Sequence, residues 1–378
     1  MYLLLGLFIS VLALVEANRC NSLKGWWFPF LMIMLTLLLC CRYGQGSDYY
    51  GYFLHFDYID ANASYMVNAL YHGEIGWYAL MLFCKKIGMN FEAFIAVISL
   101  LMMLMVWRTF KKHSSYPIIS ILLLYPTYYM TYCNSAIRQG LVLCIFLGVG
   151  IDLILSNKYK HYIILVLGLI LIHKSAIALL AVPLFLKIKF KSSLFWIIIA
   201  GVVSLGLSKA AFMISLSQQF SEGGYMEESF SIGGVAMRLI LYGIIYMMYK
   251  PLAGSNEKID KLYNLYLWGL LIFMALSFSG TLSQRLSMPY KALEVILIPS
   301  LLYANRNNLY VTNHVFDKSK LLYMAIAVVV LMNAETYKNL NSYIEQGNYH
   351  SWVTPLSYPY ISIFNEDEIW QYITHFDQ

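Results

Sequence analysis

Long apolar runs recur along the whole chain, and they constrain its fold more than any other feature of the sequence. The first is Met1 to Val15, and others follow at short intervals as far as Leu321 to Met332. In a bilayer, backbone polar groups must be bonded within the structure, so runs of this kind form membrane-spanning helices. With 60% hydrophobic and 12% charged residues, the chain is excluded from the soluble globular class. The sequence predicts an all-α, polytopic transmembrane helix bundle, with residues 1–378 as one integral membrane domain.

Basic residues in the short loops predict the orientation of these runs. The loop carrying Arg19 and Lys24 and the turn Arg108 to His113 are basic, which is typical of cytoplasmic loops. Both termini are then expected outside, with about 11 to 12 segments in all. The other predicted features of the outer side are an external loop at 42–76, an interfacial helix at 77–89, an external loop at 208–234 and an external C-terminal tail at 333–378.

The apolar stretch between Lys160 and Lys187 has an unusual length. Both flanking loops are rich in lysine, yet only about 26 apolar residues separate them, and a single span cannot begin and end on one side. We predict a hairpin of two short segments, Tyr162 to Ile172 and Ser175 to Leu186, that turns at His173-Lys174. Broken backbone at membrane depth requires protein or water to cover it, so His173 is expected at the base of an aqueous pocket.

The stretch Asn134 to Gly140 places Arg138 and Gln139 at the start of an apolar run. An intramembrane arginine costs about 2.5 kcal/mol or more and is rarely kept without a partner. The start of a helix adds unpaired amides and the positive end of the dipole, an arrangement that binds phosphates. A lone arginine could instead extend to the lipid headgroups.

Other arginines support the anion-binding interpretation. Arg238 and Arg285 recur at the same predicted depth on the outer side, and Arg42 begins the first outer loop. Several guanidiniums around an outward pocket suit a pyrophosphate, since each can bind phosphate with a bidentate fork. The alternative is that each arginine pairs with a buried acid such as Asp152 or Glu294.

Three residues are candidates for accepting a proton. Imidazole titrates near about pH 6.5, so His173 could deprotonate a hydroxyl. Glu74 and Asp48, the outside carboxylates nearest the membrane in sequence, are alternative bases. The alternatives without a catalytic role are that His173 is a packed, hydrogen-bonded residue and that Glu74 and Asp48 are ordinary solvated acids. Lys291 and Glu294, three residues apart, are expected to pair with each other. The cysteines lack metal-type spacing and no glycine-rich nucleotide loop is present, so neither a metal nor a cofactor is expected.

Several of these elements resemble, in order, the pattern of EpsG-like proteins, the Wzy-type polymerases of bacterial surface polysaccharides. The resemblance runs from about Tyr43 to Pro299. It departs at Lys174, where a small or aromatic residue is more usual after the histidine. The matching elements are Arg42 with Ser47-Asp48-Tyr49-Tyr50, Gly73-Glu74-Ile75-Gly76, Ile137-Arg138-Gln139-Gly140, His173-Lys174-Ser175-Ala176, and Gln284-Arg285-Leu286-Ser287 with Tyr290.

The resemblance implies a metal-independent, GT-C-like glycosyltransferase in the bacterial cytoplasmic (inner) membrane. Such an enzyme moves a growing glycan from undecaprenyl pyrophosphate to a lipid-linked repeat unit at the outer face, making O-antigen of lipopolysaccharide, capsule or exopolysaccharide. Its expected partners are those repeat units, membrane lipid, and the chain-length regulator and flippase of the same pathway, with no nucleic acid. The expected pyrophosphate ligands are Arg138, Gln139, Arg238, Arg285, Arg42 and Tyr290, with His173, Glu74 or Asp48 as catalytic residues.

Two functions of other classes compete with this interpretation. A lipid-linked oligosaccharide flippase or other transporter would also hold arginines in a cavity. It should, however, show internal repeats, which the sequence does not. A multi-spanning O-acyltransferase needs a histidine and an acyl donor from inside, and the outward placement predicted for His173 argues against it.

Overall fold

The structure is a computed structural model that describes residues 1–19, 25–59, 74–190, 192–207, 232–308, 318–347 and 349–373. Parts of the two predicted outer loops, residues 60–73 and 208–231, lie outside the described residues.

Helices account for all of the named elements in the described residues, as the all-α prediction requires. Two isolated β-bridges, Arg42 with Ser362 and Tyr349 with Ile373, are the exceptions to helix and loop there. The helices are α1 (Tyr2–Arg19), α2 (Trp27–Cys40), α3 (Tyr49–Tyr58), α4 (Ile75–Lys86), α5 (Phe91–His113), α6 (Pro117–Leu124), α7 (Ile137–Leu155), α8 (Tyr159–Ile170), α9 (Lys174–Phe185), α10 (Ser193–Leu207), α11 (Ile232–Tyr249), α12 (Glu257–Ala275), α13 (Gly280–Lys291), α14 (Glu294–Asn308) and α15 (Lys318–Gln346).

By length and apolar composition, 4 helices among the described residues could cross a membrane. They are the 23-residue α5, the 19-residue α7, the stretch Gly233–Leu252 that begins in α11, and α15. Shorter apolar helices, of 10–17 residues, accompany them: Tyr2–Asn18, Trp27–Cys40, Tyr159–Ile170, Lys174–Phe185 and Ser193–Leu207. The chain therefore has the helix content of a membrane protein.

The chain forms two compact units. The first comprises Met1–Ile151, Leu167–Lys174 and Lys318–Gln378. In it, α1 packs on α6 and α15, and α2 packs on α5. Glu16 at the end of α1 is buried, and its carboxylate accepts the N–H groups of Ile118 and Ile119, each at 2.9 Å. These are first-turn amides of α6 that have no partner within the helix, and the negative charge suits the positive dipole end.

The C-terminal part of the first unit differs from the expected short crossing followed by a tail. The predicted last crossing, Leu321 to Met332, lies within α15, which continues as one helix to Gln346. Residues 349–373 then fold against the end of α2. Ile361 accepts the N–H of Tyr43, and Cys41 accepts the N–H of Ile363, both at 2.9 Å. The end of α2 is thus held by backbone pairing with the C-terminal segment.

The second unit comprises Asp152–Val166 and Ser175–Asp317. Its helix α12 packs on α10 and α13, and the rings of Phe185 and Trp268 stack at 4.0 Å between centroids. Two short helices stand where the sequence predicted a hairpin, since α8 ends at Ile170 and α9 begins at Lys174. The hydroxyl of Tyr162 donates to the carbonyl of Leu179 at 3.0 Å, so the two segments contact each other across the break.

Candidate functional site

Two helix ends cap each other and bring Glu74 to His173. The N–H of Gly76, in the first turn of α4, donates to the carbonyl of Leu171, just past α8, at 2.7 Å. Each group is one that a helix leaves without an internal partner, so a single bond serves both ends. Glu74 immediately precedes α4 and His173 follows Leu171 by two residues. As a result, the Glu74 Oε1 atom lies 2.9 Å from His173 Nδ1.

Arg138 reaches the same carboxylate from a third element. It is the second residue of α7, and its Nη1 donates to Glu74 Oε2 at 2.8 Å. The N–H of Lys174 donates to Glu74 Oε1 at 2.9 Å. The side chains of Glu74, Arg138 and His173 are 11%, 15% and 7% exposed, so the cluster is mostly enclosed but not sealed. We call these residues with Lys174 the Glu74 cluster.

Tyr52 on α3 supports the guanidinium of Arg138. Its ring centroid lies 5.6 Å from Arg138 Cζ, and its hydroxyl accepts from Nε at 3.4 Å. The same ring packs against the buried Trp77 of α4 at 5.8 Å. A cation over an aromatic face is attracted by the ring quadrupole, by about 0.5 to 2 kcal/mol depending on exposure. Tyr52 therefore restrains the same guanidinium that pairs with Glu74.

The segment between α2 and α3 touches the turn that precedes α7. Ser47 Oγ lies 2.8 Å from Ser135 Oγ, and the N–H of Asp48 donates to the same Ser135 oxygen at 3.3 Å. Gly46 has a positive φ of 96°, and a side chain there would meet the Asn134 carbonyl at 2.8 Å. Asp48 is exposed and accepts from Ser47. Asp48 thus lies near the start of α7.

The Glu74 carboxylate is ionised in this setting. Burial alone would raise the pKa of Glu74, but the hydrogen bond from His173, the charge of Arg138 and the N–H of Lys174 outweigh burial and lower it to about 2. Its negative charge at the start of α4 also suits the helix dipole. By contrast, Arg138 near the start of α7 opposes the dipole there, and the ion pair with Glu74 offsets that cost.

The structure gives some predicted ligands a different setting. Arg42 is 2% exposed, and its Nη1 donates to the Leu39 carbonyl at 2.6 Å and to Ser99 at 2.9 Å. Tyr290 is 0% exposed and its hydroxyl donates to the carbonyl of Ala178. Both side chains are enclosed and bond to groups of the protein, and their pyrophosphate contact stays a prediction.

Arg238 and Arg285 belong to the second unit. The guanidinium of Arg238 lies 3.7 Å from the Phe273 ring centroid and donates to Ser287 at 2.8 Å. Ser287 is on α13, two residues from the half-buried Arg285, so these two arginines share one helix-packing region. Gln139 is buried next to Arg138 on α7. Lys291 and Glu294 pair at 3.6 Å, which confirms the expected local ion pair.

Sequence reasoning missed three parts of the site. It left out Tyr52, the backbone N–H of Lys174, and the Ser47 to Ser135 contact, all of which depend on long-range packing. Gly76 carried a usable signal, because an isolated glycine at a helix start often marks close approach of another backbone. A Cβ at this position would lie 2.7 Å from the Leu171 carbonyl oxygen. Within the described residues, no group of three or more His, Cys, Asp or Glu side chains is arranged to hold a metal ion.

Comparison with protein families gives the decisive match. Residues 25–345, most of the chain, match the EpsG family. The chain belongs to the EpsG family. The match confirms the family resemblance, and this family is linked to exopolysaccharide biosynthesis. All members of the Glu74 cluster lie within the matched part of this EpsG protein, whereas the C-terminal segment 349–373 lies beyond it. No curated protein and no solved structure matches the chain.

Proposed function

We propose that this EpsG-family protein is a Wzy-type polysaccharide polymerase with a GT-C-like bundle of about 11 to 12 membrane segments. Both termini and the Glu74 cluster face the outer side of the cytoplasmic membrane. Its substrates are lipid-linked repeat units, and a chain-length regulator and a flippase of the same pathway act with it. The observation that carries the proposal is the Glu74 cluster, which places an arginine, a carboxylate and a histidine within hydrogen-bond reach of one another.

Charge supports a pyrophosphate ligand at Arg138. In the cluster, the guanidinium of Arg138 faces the one carboxylate of Glu74, which also accepts the backbone N–H of Lys174. Arg138 lies at the start of α7, where backbone amides and the dipole add positive potential. At 15% exposure, its side chain is more accessible than Glu74 or His173. Arg238 and Arg285 are proposed to assist.

The proposed reaction is glycosyl transfer. The acceptor hydroxyl oxygen bonds to the anomeric carbon of the donor sugar, and the bond from that carbon to the pyrophosphate oxygen breaks. Undecaprenyl pyrophosphate leaves with the bonding electron pair, and the hydroxyl proton passes to a base of the Glu74 cluster. A guanidinium at the leaving group stabilises the charge that develops there. An enclosed base near an arginine is the arrangement that this reaction requires.

A ladder assay tests the proposal. Purified protein in liposomes receives synthetic undecaprenyl-pyrophosphate repeat units, and products are separated by length. Wild-type protein should make a ladder, and Arg138→Ala should lower its rate by about 10²-fold or more, as loss of a transition-state donor does. Arg138→Lys should recover little, because the planar fork is lost. Arg306→Ala, in the last turn of α14 and outside the Glu74 cluster, is the matched control and should keep wild-type rates.

The assay separates the polymerase from its alternative. If folded wild-type protein makes no ladder from the repeat unit of its own organism, the polymerase proposal fails. A transbilayer assay with the same lipid then tests the flippase or transporter function. If the ladder forms equally well in Arg138→Ala, the polymerase stands but the pyrophosphate site must lie elsewhere.

A further inference from the structure

We infer that Glu74 is a positioning residue: its carboxylate fixes the imidazole of His173 so that Nε2 is the atom that accepts the proton of the acceptor hydroxyl. The inference deepens the proposed polymerase function and rests on it. It separates the two base candidates, giving His173 the proton transfer and Glu74 the orientation.

Hydrogen-bond chemistry determines which imidazole nitrogen carries the proton. Glu74 Oε1 lies 2.9 Å from His173 Nδ1. An ionised carboxylate only accepts hydrogen bonds, so Nδ1 must be the donor in this contact. A neutral imidazole has a single N–H, and the other nitrogen then carries the lone pair. Nε2 is therefore the basic nitrogen when His173 is neutral.

Three donors hold the carboxylate itself in place. Arg138 Nη1 contacts Oε2 at 2.8 Å, while His173 Nδ1 and the N–H of Lys174 both contact Oε1 at 2.9 Å. These donors favour the charged form, and the pKa of Glu74 falls to about 2. A group with so low a pKa is a poor proton acceptor at neutral pH, because efficiency in general-base catalysis follows basicity. Glu74 is thus better suited to orienting a base than to being one.

One side chain therefore links the two functions of the cluster. Glu74 meets Arg138 through Oε2 and His173 through Oε1, so it sets the spacing between the proposed leaving-group ligand and the base. The charged and titratable groups around it are Arg138 from α7, His173 and Lys174 from the break before α9, and Tyr52 from α3 against Arg138. Fixed spacing of this kind lowers the entropic part of the barrier.

Glu74→Gln tests the inference. The amide oxygen should turn to Arg138, because a guanidinium only donates hydrogen bonds. The amide NH2 group then faces His173 and donates to Nδ1. This favours the tautomer with its proton on Nε2, in which Nε2 cannot act as the base. We expect kcat for chain extension to fall by about 10² to 10⁴-fold, as loss of an oriented base does, with little change in KM. Loss of the negative charge also makes the imidazolium less stable. In a plot of the residual rate against pH, the acidic limb, where the rate falls as His173 is protonated, should therefore move down by about one pH unit.

Three further variants keep the test independent of folding. Glu74→Asp retains the charge on a shorter side chain, and it should keep the acidic limb at the wild-type pH while losing part of kcat. Glu92→Gln makes the same chemical change in the first turn of α5 and should alter neither kcat nor the limb. His173→Ala should remove the acidic limb altogether.

Clear outcomes would overturn the inference. A Glu74→Gln enzyme with a wild-type acidic limb would show that the carboxylate does not act through the imidazole. A wild-type limb in His173→Ala would assign the base to another residue. Failure of the polymerase proposal is distinguishable, because wild-type protein would then make no ladder at any pH.

Discussion

The contact between Gly76 and Leu171 gives the sharpest prediction, because it sets the distance between Glu74 and His173 without involving either side chain. A methyl group added at Gly76 would stand 2.7 Å from the carbonyl oxygen of Leu171 and 2.9 Å from its carbonyl carbon. Both atoms are backbone and cannot move aside as a flexible side chain does. Gly76→Ala must therefore push the Leu171 to His173 segment away from α4.

The size of the effect follows from these distances. Ordinary van der Waals contact begins at 3.4 Å, so Leu171 has to retreat by about 0.7 Å. A shift of this size carried to His173 lengthens the 2.9 Å contact with Glu74 to about 3.6 Å, which is no longer a hydrogen bond. We expect kcat to fall by about 10 to 10²-fold, since a misplacement of about 1 Å costs up to 10²-fold. The strain should cost about 1 to 3 kcal/mol of stability.

The assay compares Gly76→Ala with Gly51→Ala. Gly51 is inside α3, and a Cβ there meets nothing within 4 Å. Its replacement should leave activity unchanged and stabilise the helix by up to about 1 kcal/mol. Ladder rates are normalised to folded protein, measured by thermal unfolding in detergent. If Gly76→Ala makes the ladder as fast as Gly51→Ala does, the capping contact does not position the site, and the reasoning is refuted.

The remaining predictions concern acid stability, the C-terminal segment and topology. Because the pKa of Glu74 is about 2 in the folded protein against an ordinary 4.5, its ion pair stabilises fully above pH 4.5 and is lost as pH falls towards 2. The melting-temperature gap between wild type and Glu74→Gln should therefore be wide at pH 7, equivalent to about 2 kcal/mol after solvent screening, and should close in acid. Truncation after Gly347 removes the segment that pairs with the end of α2. The ladder rate should fall by about tenfold while the protein stays in the membrane. A wild-type ladder rate would show that the segment is dispensable. An impermeant thiol reagent applied outside should label Ser351→Cys and not Ser255→Cys, and the reverse pattern would overturn the proposed orientation.

The sequence predicted the local features of this protein well. The break between α8 and α9 follows from the spacing of two basic loops, and the start of α7 from the polar residues before Arg138. The ion pair between Lys291 and Glu294 follows from their three-residue separation, although α13 ends at Lys291 and α14 begins at Glu294. Each of these predictions uses residues close together in the chain, where backbone periodicity determines which side chains meet.

The partner of Arg138 shows where sequence reasoning stops. The sequence offers Asp152 and Glu294 as its acidic partners, yet the structure pairs it with Glu74, a residue 64 positions away. Glu74 was itself a candidate, but as a base. Which acid meets which arginine depends on how helices pack, and a single sequence does not contain that information. The burial of Arg42 could not be read from the sequence for the same reason.

Mutual capping of α4 and α8 explains why these residues can hold a charged cluster at low exposure. The start of α4 presents N–H groups and positive potential, while the chain past α8 presents a carbonyl and negative potential. Their direct bond places a carboxylate beside the positive end and leaves an imidazole within its reach. Arg138 then balances the carboxylate from α7. Backbone groups thus fix the site before any side chain contributes. Gly76→Ala should therefore change rate and stability although it leaves every side chain of the Glu74 cluster in place.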